Sequence, residues 1–340
     1  MSVRVAINGF GRVGRCAVRS AFESGAAVEW AGINDVADVA TLAHLLRHDT
    51  VYGPFPATVD VEEDALVVDG TPIPVHAVAN PAELPWLTAG VDVVLECTGK
   101  FRTRADAAKH LEAGARKVIL SAPGKDVDAT IVLGVNDETY DPERHDVISN
   151  ASCTTNCLAP VAKVLDERFE ILHGTMTTIH AVTGDQRVVD GPHKDLRRAR
   201  ASGANIVPTT TGAATAIGLV IPALAGKLRG YAARVPVLTG SLVDLTVELD
   251  HSTTPERINA AFEVAAADGL AGILQLSHEP LVSSDVIKSP FSSVVDGGLT
   301  AVVGGTQAKV IAWYDNEWGY ATRLVELAEL VGAGVPAVVA

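Results

Sequence analysis

The stretch Val3-Arg4-Val5-Ala6-Ile7-Asn8-Gly9-Phe10-Gly11-Arg12-Val13-Gly14 decides the fold of this chain. Its first half, Val3–Asn8, is an apolar run rich in valine and isoleucine and reads as a buried strand. The second half spaces three glycines as G-x-G-x-x-G and leads into helical periodicity over Gly11–Ser24. Alone, that string is weak evidence and could be turn chemistry only. Between a strand and a helix, each glycine has a purpose. Gly9 permits the tight turn, Gly11 lets backbone approach a pyrophosphate, and Gly14 allows the helix to pack close to the strand. Amides at the helix N-terminus then bind the phosphates. Asp35 stands 21 residues after Gly14, at the end of a second strand over Ala27–Ile33, where an acid accepts hydrogen bonds from the adenosine ribose. The plain alternative for Asp35 is a helix cap ahead of Val36–Leu46. A carboxylate at this point repels a 2′-phosphate, so NAD is favoured over NADP.

Working outward, strands are expected at Val91–Cys97 and Lys117–Ser121, and helices at Asp38–Arg47 and Thr103–Ala113. Alternation of this kind implies a parallel sheet covered on both faces. The fold class is therefore α/β, with a Rossmann-type dinucleotide-binding domain over residues 1–150. Beyond residue 150 the texture changes. A helix is expected from Cys153 to Arg168, after a strand Val147–Asn150. Longer strands follow at Ile171–His180, Tyr231–Val235, Leu242–Leu249 and Ala308–Tyr314, with helices at Thr211–Ala223 and Pro255–Ala266. These suit an α+β catalytic domain over residues 151–316 with a mostly antiparallel sheet. Asn316–Leu330 reads as a closing helix, so residues 317–340 form a C-terminal segment returning to the first domain. The tail Val335–Ala340 is read as frayed or tucked on the surface, without a function. Between Thr183 and Pro208 the chain is long, polar and basic, and a segment of that length without regular structure is usually functional.

The totals narrow the class. At 340 residues the chain has room for two cores. A formal charge of −14 argues against nucleic acid or an anionic membrane as partner, so an anion site needs a local basic patch. No apolar run is long enough to span a membrane. The N-terminus enters a strand pattern at once, which leaves no signal peptide to read. The four cysteines form neither a disulfide framework nor a zinc motif, so no metal is expected and a reduced, cytoplasmic compartment fits.

Cys153 sits where strand gives way to helix in Ser149-Asn150-Ala151-Ser152-Cys153-Thr154-Thr155-Asn156-Cys157. A thiol at a helix N-terminus is expected to have a lowered pKa, because the helix dipole favours the thiolate. The bland reading is a buried cysteine acting as a small hydrophobe. That reading suits Cys157, one turn further on, and also Cys16 and Cys97. A reactive thiol needs a base, and His180 is the natural choice among ten histidines, although sequence does not place its ring beside the sulfur.

The glycine segment Ala6–Arg15, the Ser149–Cys157 stretch and Trp313-Tyr314-Asp315-Asn316-Glu317-Trp318-Gly319-Tyr320 together resemble the glyceraldehyde-3-phosphate dehydrogenases. The resemblance runs from about residue 3 to residue 330, and is to the bacterial, NAD-dependent, phosphorylating form. It implies oxidation of D-glyceraldehyde 3-phosphate and capture of the acyl group by inorganic phosphate, as 1,3-bisphosphoglycerate, in glycolysis or gluconeogenesis. Cys153 is then the nucleophile and His180 its base. The substrate phosphate falls to Thr183 and Arg234, and the attacking phosphate to Ser152, Thr154, Thr211, Gly212 and Arg198. For the cofactor, Arg12 and Val13 match positions at the pyrophosphate, Thr98 and Ser121 along the cleft, Asn316 at the carboxamide and Tyr320 near the nicotinamide. A homotetramer is implied, with Thr183–Pro208 packed across a subunit interface. The chain departs from the family pattern at Pro54, Leu238, Ala321-Thr322 and Ala79, the last replacing an arginine near the adenine. Erythrose-4-phosphate dehydrogenase, a relative with the same thiol chemistry, is the runner-up.

Overall fold

The computed structural model describes residues 2–334, so the expectation for Val335–Ala340 lies outside the described residues. Two compact units divide the chain. One comprises residues 2–131, 138–151 and 321–334; the other comprises Val132–Asp137 and Ser152–Tyr320.

In the first unit the chain runs β1 (Val3–Asn8), α1 (Arg12–Ser24), β2 (Val28–Asn34) and α2 (Val39–Arg47). A ribbon follows, of β3 (Val59–Glu62), β4 (Ala65–Val68) and β5 (Thr71–His76). Next come β6 (Val93–Glu96), α3 (Arg104–Ala107), α4 (Lys109–Glu112), β7 (Lys117–Leu120), β8 (Ala129–Thr130) and β9 (Val147–Ser149). The nine strands lie in the order β3-β4-β5-β2-β1-β6-β7-β9-β8. From β5 to β8 every neighbouring pair is parallel, and only the β3–β4–β5 ribbon is antiparallel. The mixed α/β class and the Rossmann-like sheet hold. Val5, Ile7, Val93, Leu95 and Ile119 on one face and Ala6, Val94, Val118 and Leu120 on the other are all buried, which is why these strands read as apolar runs. The chain leaves β1 for β2 on one side and later takes up β6 on the other. That reversal opens a crevice at the carboxyl ends of the strands.

The helix expected over Thr103–Ala113 is instead two short ones. At Ala108 the bonding tightens to an i→i+3 pattern, Leu111 N donating to Ala108 O at 2.9 Å, which ends one helix and starts the next.

The second unit contains α5 (Cys153–Phe169), β10 (Ile171–His180), β11 (Val207–Thr209), α6 (Ala213–Val220), β12 (Leu228–Arg234), β13 (Ser241–Leu249) and α7 (Pro255–Ala267). It continues with β14 (Leu274–Ser277), β15 (Ser293–Asp296), β16 (Ala301–Val303) and β17 (Gln307–Tyr314). The final helix α8 (Trp318–Ala333) begins here, and the division between units falls within it. The sheet order is β11-β12-β10-β13-β17-β15-β14, with β16 also on β17. It is mostly antiparallel, the exceptions being β10–β12 and β14–β15. β13 alternates strictly, burying Ser241, Val243, Leu245, Val247 and Leu249, as a sheet with one covered face requires.

Candidate active site

Two polar sites emerge, one in each unit. In the first unit β1 ends at Asn8 and the chain turns at Gly9, whose φ is +93°. A Cβ there would lie 2.7 Å from Thr98 N and 2.8 Å from Cys97 C, so no side chain fits. At Gly14 a Cβ would come within 2.5 Å of Gly9 O, which is the close helix–strand approach read from the sequence. Gly11 faces open space and caps α1 without any side-chain hydrogen bond. Asn8, Gly9, Gly11, Asp35, Ala79 and Thr98 are among the residues lining a cleft of about 270 Å³.

Asp35 is not the cap of the following helix. That position belongs to Asp38, whose Oδ1 accepts from Thr41 N at 2.9 Å. Asp35 Oδ2 instead accepts from Phe10 N at 2.8 Å and Oδ1 from Ala37 N at 3.0 Å, tying the second strand to the glycine turn. Thr98 N donates to Glu96 Oε1 at 2.8 Å, and Ser121 N to Glu96 O at 3.0 Å. The Arg12 guanidinium pairs with Asp49 and lies 5.5 Å from the centre of the Tyr52 ring. Asp49 is held below its usual value: burial pushes it up, but the Tyr52 and Val51 amides and Arg12 outweigh that.

In the second unit Ser152 caps α5, its Oγ accepting from Thr155 N at 3.1 Å. Cys153 is the first residue of the helix. The preceding Ala151 is wholly buried with φ +54°, a left-handed conformation that costs about 1 kcal/mol for a residue with a Cβ. That turn directs β9 into α5. Cys153 Sγ lies 3.5 Å from His180 Nε2. His180 is the last residue of β10, the long strand that pairs with β12 and β13.

The imidazole is held from its other side. Nδ1 lies between an acceptor, Ala181 O at 2.7 Å, and a donor, Arg234 Nη1, so both neutral tautomers find a partner there, and Nε2 is the ring nitrogen that faces the sulfur. Arg234 Nη1 sits 2.8 Å from Nδ1, 3.0 Å from Ala181 O and 3.3 Å from Thr183 Oγ1. Burial, reinforced by the Arg234 charge, pushes the His180 pKa down to about 3. Burial likewise pushes the Cys153 thiol up, against the charge of Arg234 and hydrogen bonds from Thr154. The thiol is thus shifted opposite to the lowering expected from the helix terminus, because loss of solvent outweighs the Arg234 charge and the Thr154 hydrogen bonds. The resting pair is a neutral thiol beside a neutral base.

Cys157 is fully buried, contacts Ala312 O at 3.7 Å, and has its thiol pushed further up by burial. It has the packing character expected of it.

Residues 3–104 match the family model described as glyceraldehyde 3-phosphate dehydrogenase, NAD binding domain, and residues 152–316 match its C-terminal domain. The glyceraldehyde-3-phosphate dehydrogenase of Mycobacterium tuberculosis is 58% identical over 338 residues, covering 98% of this chain and 99% of that protein. The protein of that name from Streptomyces coelicolor is 56% identical over 333 residues, with the same coverage. The one called glyceraldehyde-3-phosphate dehydrogenase 2 from Streptomyces avermitilis is 54% identical over 332 residues, again covering 98% of this chain and 99% of its own. The chain belongs to the glyceraldehyde-3-phosphate dehydrogenase family.

Against the positions that the family resemblance implies, the structure groups the residues unevenly. Thr183 and Arg234 stand together, as above. Arg198 is linked to Thr183 through Asp185: its Nη1 meets Asp185 Oδ2 at 2.5 Å, and Asp185 Oδ1 accepts from Thr183 Oγ1 at 2.5 Å. Its Nε donates to Thr209 Oγ1 at 3.0 Å. Thr211 and Gly212 lie at the start of α6, where Thr211 Oγ1 accepts from Ala213 N at 3.2 Å. Ser152 is engaged as the cap. Thr154 Oγ1 is 2.8 Å from Tyr314 OH, which also meets Thr178 Oγ1 at 2.9 Å. Asn316 Oδ1 accepts from Ser241 Oγ at 2.8 Å, which fixes the orientation of its amide. Tyr320 is buried, and Val13 is half-buried in the first turn of α1.

Sequence reasoning missed Asp185 and Tyr314. Asp185 had a readable signal, a carboxylate two residues after Thr183 inside an otherwise basic segment. Tyr314 had none, because its contacts come from residues 136 and 160 positions away.

Proposed function

We propose that this protein catalyses the NAD-dependent oxidative phosphorylation of D-glyceraldehyde 3-phosphate through a thioester on Cys153. The observation that carries the reading is the 3.5 Å approach of Cys153 Sγ to Nε2 of a neutral, buried His180. A base must be within reach of the proton it takes and free to accept it, and His180 meets both conditions.

Attack of the sulfur on the aldehyde carbon forms a hemithioacetal while His180 Nε2 takes the thiol proton. That transfer turns a resting thiol into the nucleophile, so a low resting pKa is not required. Once protonated, His180 carries a positive charge beside the new alkoxide and stabilises it. It passes that proton to the oxygen, giving the neutral hemithioacetal, and takes it back as the carbonyl reforms. NAD, which Gly9, Gly11, Gly14 and Asp35 would hold, would supply the hydride acceptor, and the carbon left on Cys153 is then a thioester. A phosphate oxygen attacks the thioester carbonyl, the thiolate leaves, and the acyl phosphate is released.

Thr183, Arg234 and Arg198 supply the anion-binding groups. Their positive charge is concentrated locally within a chain of net charge −14, and arginine's planar fork suits phosphate oxygens. Asp185 occupies the arginine–threonine cradle in this structure. For the cofactor, Gly9, Gly11 and Gly14 clear the way to the α1 amides, and Asp35 is placed to receive the ribose. Arg12 and Val13 flank the pyrophosphate position; Thr98, Ser121, Asn316 and Tyr320 complete the set carried over from the family. Ser152, Thr154, Thr211 and Gly212 are assigned to inorganic phosphate.

The same reading has a homotetramer, a cytoplasmic location, and no nucleic acid or membrane partner. No helix among the described residues is long and apolar enough to cross a membrane, and none of the four cysteines is in a disulfide. In residues 183–208, Val188, Leu196 and Ile206 are 82%, 82% and 70% exposed, apolar side chains that a second copy would cover. Steady-state rates with glyceraldehyde 3-phosphate and erythrose 4-phosphate, each with NAD and NADP, test the assignment. The highest kcat/KM is expected for glyceraldehyde 3-phosphate with NAD; a preference for the four-carbon aldehyde refutes it.

A further inference from the structure

Beneath the dinucleotide cleft lies a chain of polar side chains with almost no solvent contact. Glu96 and His110 are 2% and 0% exposed, and Asn8, Asn34 and Trp86 are equally enclosed. An indole N–H can only donate, and Trp86 Nε1 lies 3.0 Å from His110 Nδ1. Nδ1 is therefore the acceptor, and the ring proton is on Nε2. That nitrogen is 3.2 Å from Glu96 Oε2 and donates to it. The same oxygen accepts from Asn8 Nδ2 at 2.5 Å. Glu96 Oε1 accepts from Thr98 N at 2.8 Å and from the Thr98 hydroxyl. The relay continues: Asn8 Oδ1 accepts from Asn34 Nδ2 at 2.7 Å. Asn34 holds Val78 at both backbone atoms, donating to its carbonyl and accepting from its amide at 2.9 Å.

Every outer member of this chain reaches the cleft. Asn8, Asn34, Val78 and Thr98 line it, whereas Trp86, His110 and Glu96 stand behind it. Glu96 is surrounded by uncharged donors, an arrangement that costs desolvation and does no more for the sheet than apolar packing would. Orientation is what it gains. Thr98 N is also the atom against which Gly9 is closed, so the direction of the Glu96 carboxylate sets one wall of the glycine turn.

We propose that the Trp86–His110–Glu96 relay is a positioning device for the dinucleotide, holding Thr98 and Asn8 in the arrangement that binds it. The proposal rests on the NAD-binding reading of the cleft. Trp86 fixes the His110 tautomer, His110 fixes one carboxylate oxygen, and Glu96 distributes that orientation to residues of the cleft. All three are positioning residues and none touches the cofactor.

Calorimetric titration with NAD tests it on the full chain carrying His110→Leu, His110→Gln or Trp86→Phe. Leucine keeps bulk but leaves both ends of the relay unpaired, and is expected to raise Kd about tenfold. The loss should appear in Kd and in KM for NAD, with kcat at saturating NAD held within about threefold. Glutamine can accept from Trp86 and donate to Glu96, and should restore Kd to within about threefold of the parent. A parental Kd in His110→Leu, or a loss in His110→Gln as large as in His110→Leu, overturns the proposal. If the leucine variant does not fold, Trp86→Phe decides: a several-fold higher Kd supports the relay, and an unchanged one refutes it. Failure of the unmodified chain to bind NAD would instead refute the cofactor reading.

Discussion

At Cys153 two effects oppose each other, and their balance sets the chemistry. The Arg234 charge and the Thr154 hydrogen bonds favour a thiolate, while burial favours the thiol, and burial wins. Activation therefore depends on transfer of the proton to His180 during attack. Cys153→Ala should abolish oxidation and leave the Kd for NAD unchanged, as read by calorimetry. His180→Asn should slow NADH formation in stopped flow by about 10²–10⁴-fold, the usual contribution of a general base; a near-normal rate would remove the base assignment. His180 also carries a stability signature. Its folded pKa of about 3 lies below the ordinary value of 6.5. The folded form thus resists protonation, and stability present above pH 6.5 is lost as pH falls towards 3. At pH 5 the loss from this group is about 2 kcal/mol. Denaturant titrations of the parent and His180→Asn should converge by about that amount between pH 7 and pH 5. Parallel curves would contradict the buried neutral ring.

At the scale of elements, what the sequence revealed depended on whether the deciding contacts were local. The turn over Gly9–Gly14 was legible because its constraint is steric and lies within a few residues. The structure adds that Gly9 is closed against Thr98. Gly9→Ala should destabilise the protein by about 2 kcal/mol or more, from a positive φ and a backbone clash together, seen as a lowered denaturation midpoint and weaker NAD binding. The ribbon β3–β4–β5 was not legible. Pro72 and Pro74 remove donors and make Thr71–His76 read as non-strand, yet Pro72 stands opposite Val67 and Pro74 opposite Ala65 of β4, and on the other side β2 pairs only with Val75 and His76, beyond both prolines. Cys153 and His180 were each visible as residues, but their 3.5 Å approach was not. It arises because α5 starts and β10 ends at the same place, a juxtaposition produced by packing. The grouping of Arg198 with Thr183 escaped for the same reason, since Asp185 bridges them through side chains alone.

At the scale of the whole molecule, the first unit supplies the dinucleotide cleft and the second the thiol, base and arginines. The exposed apolar side chains of residues 183–208 make a claim of their own. Light scattering should give the mass of four chains, and Leu196→Asp should lower it; a single-chain mass for the parent would contradict the assembly. The central claim is that oxidation proceeds through a thioester that only phosphate releases efficiently. It is tested most directly by following NADH after mixing the protein and NAD with glyceraldehyde 3-phosphate, with and without inorganic phosphate. The account predicts a burst approaching one NADH per chain followed by near arrest without phosphate, and continuous turnover with it. Sustained turnover at the same rate without phosphate, or any burst from Cys153→Ala, would contradict it.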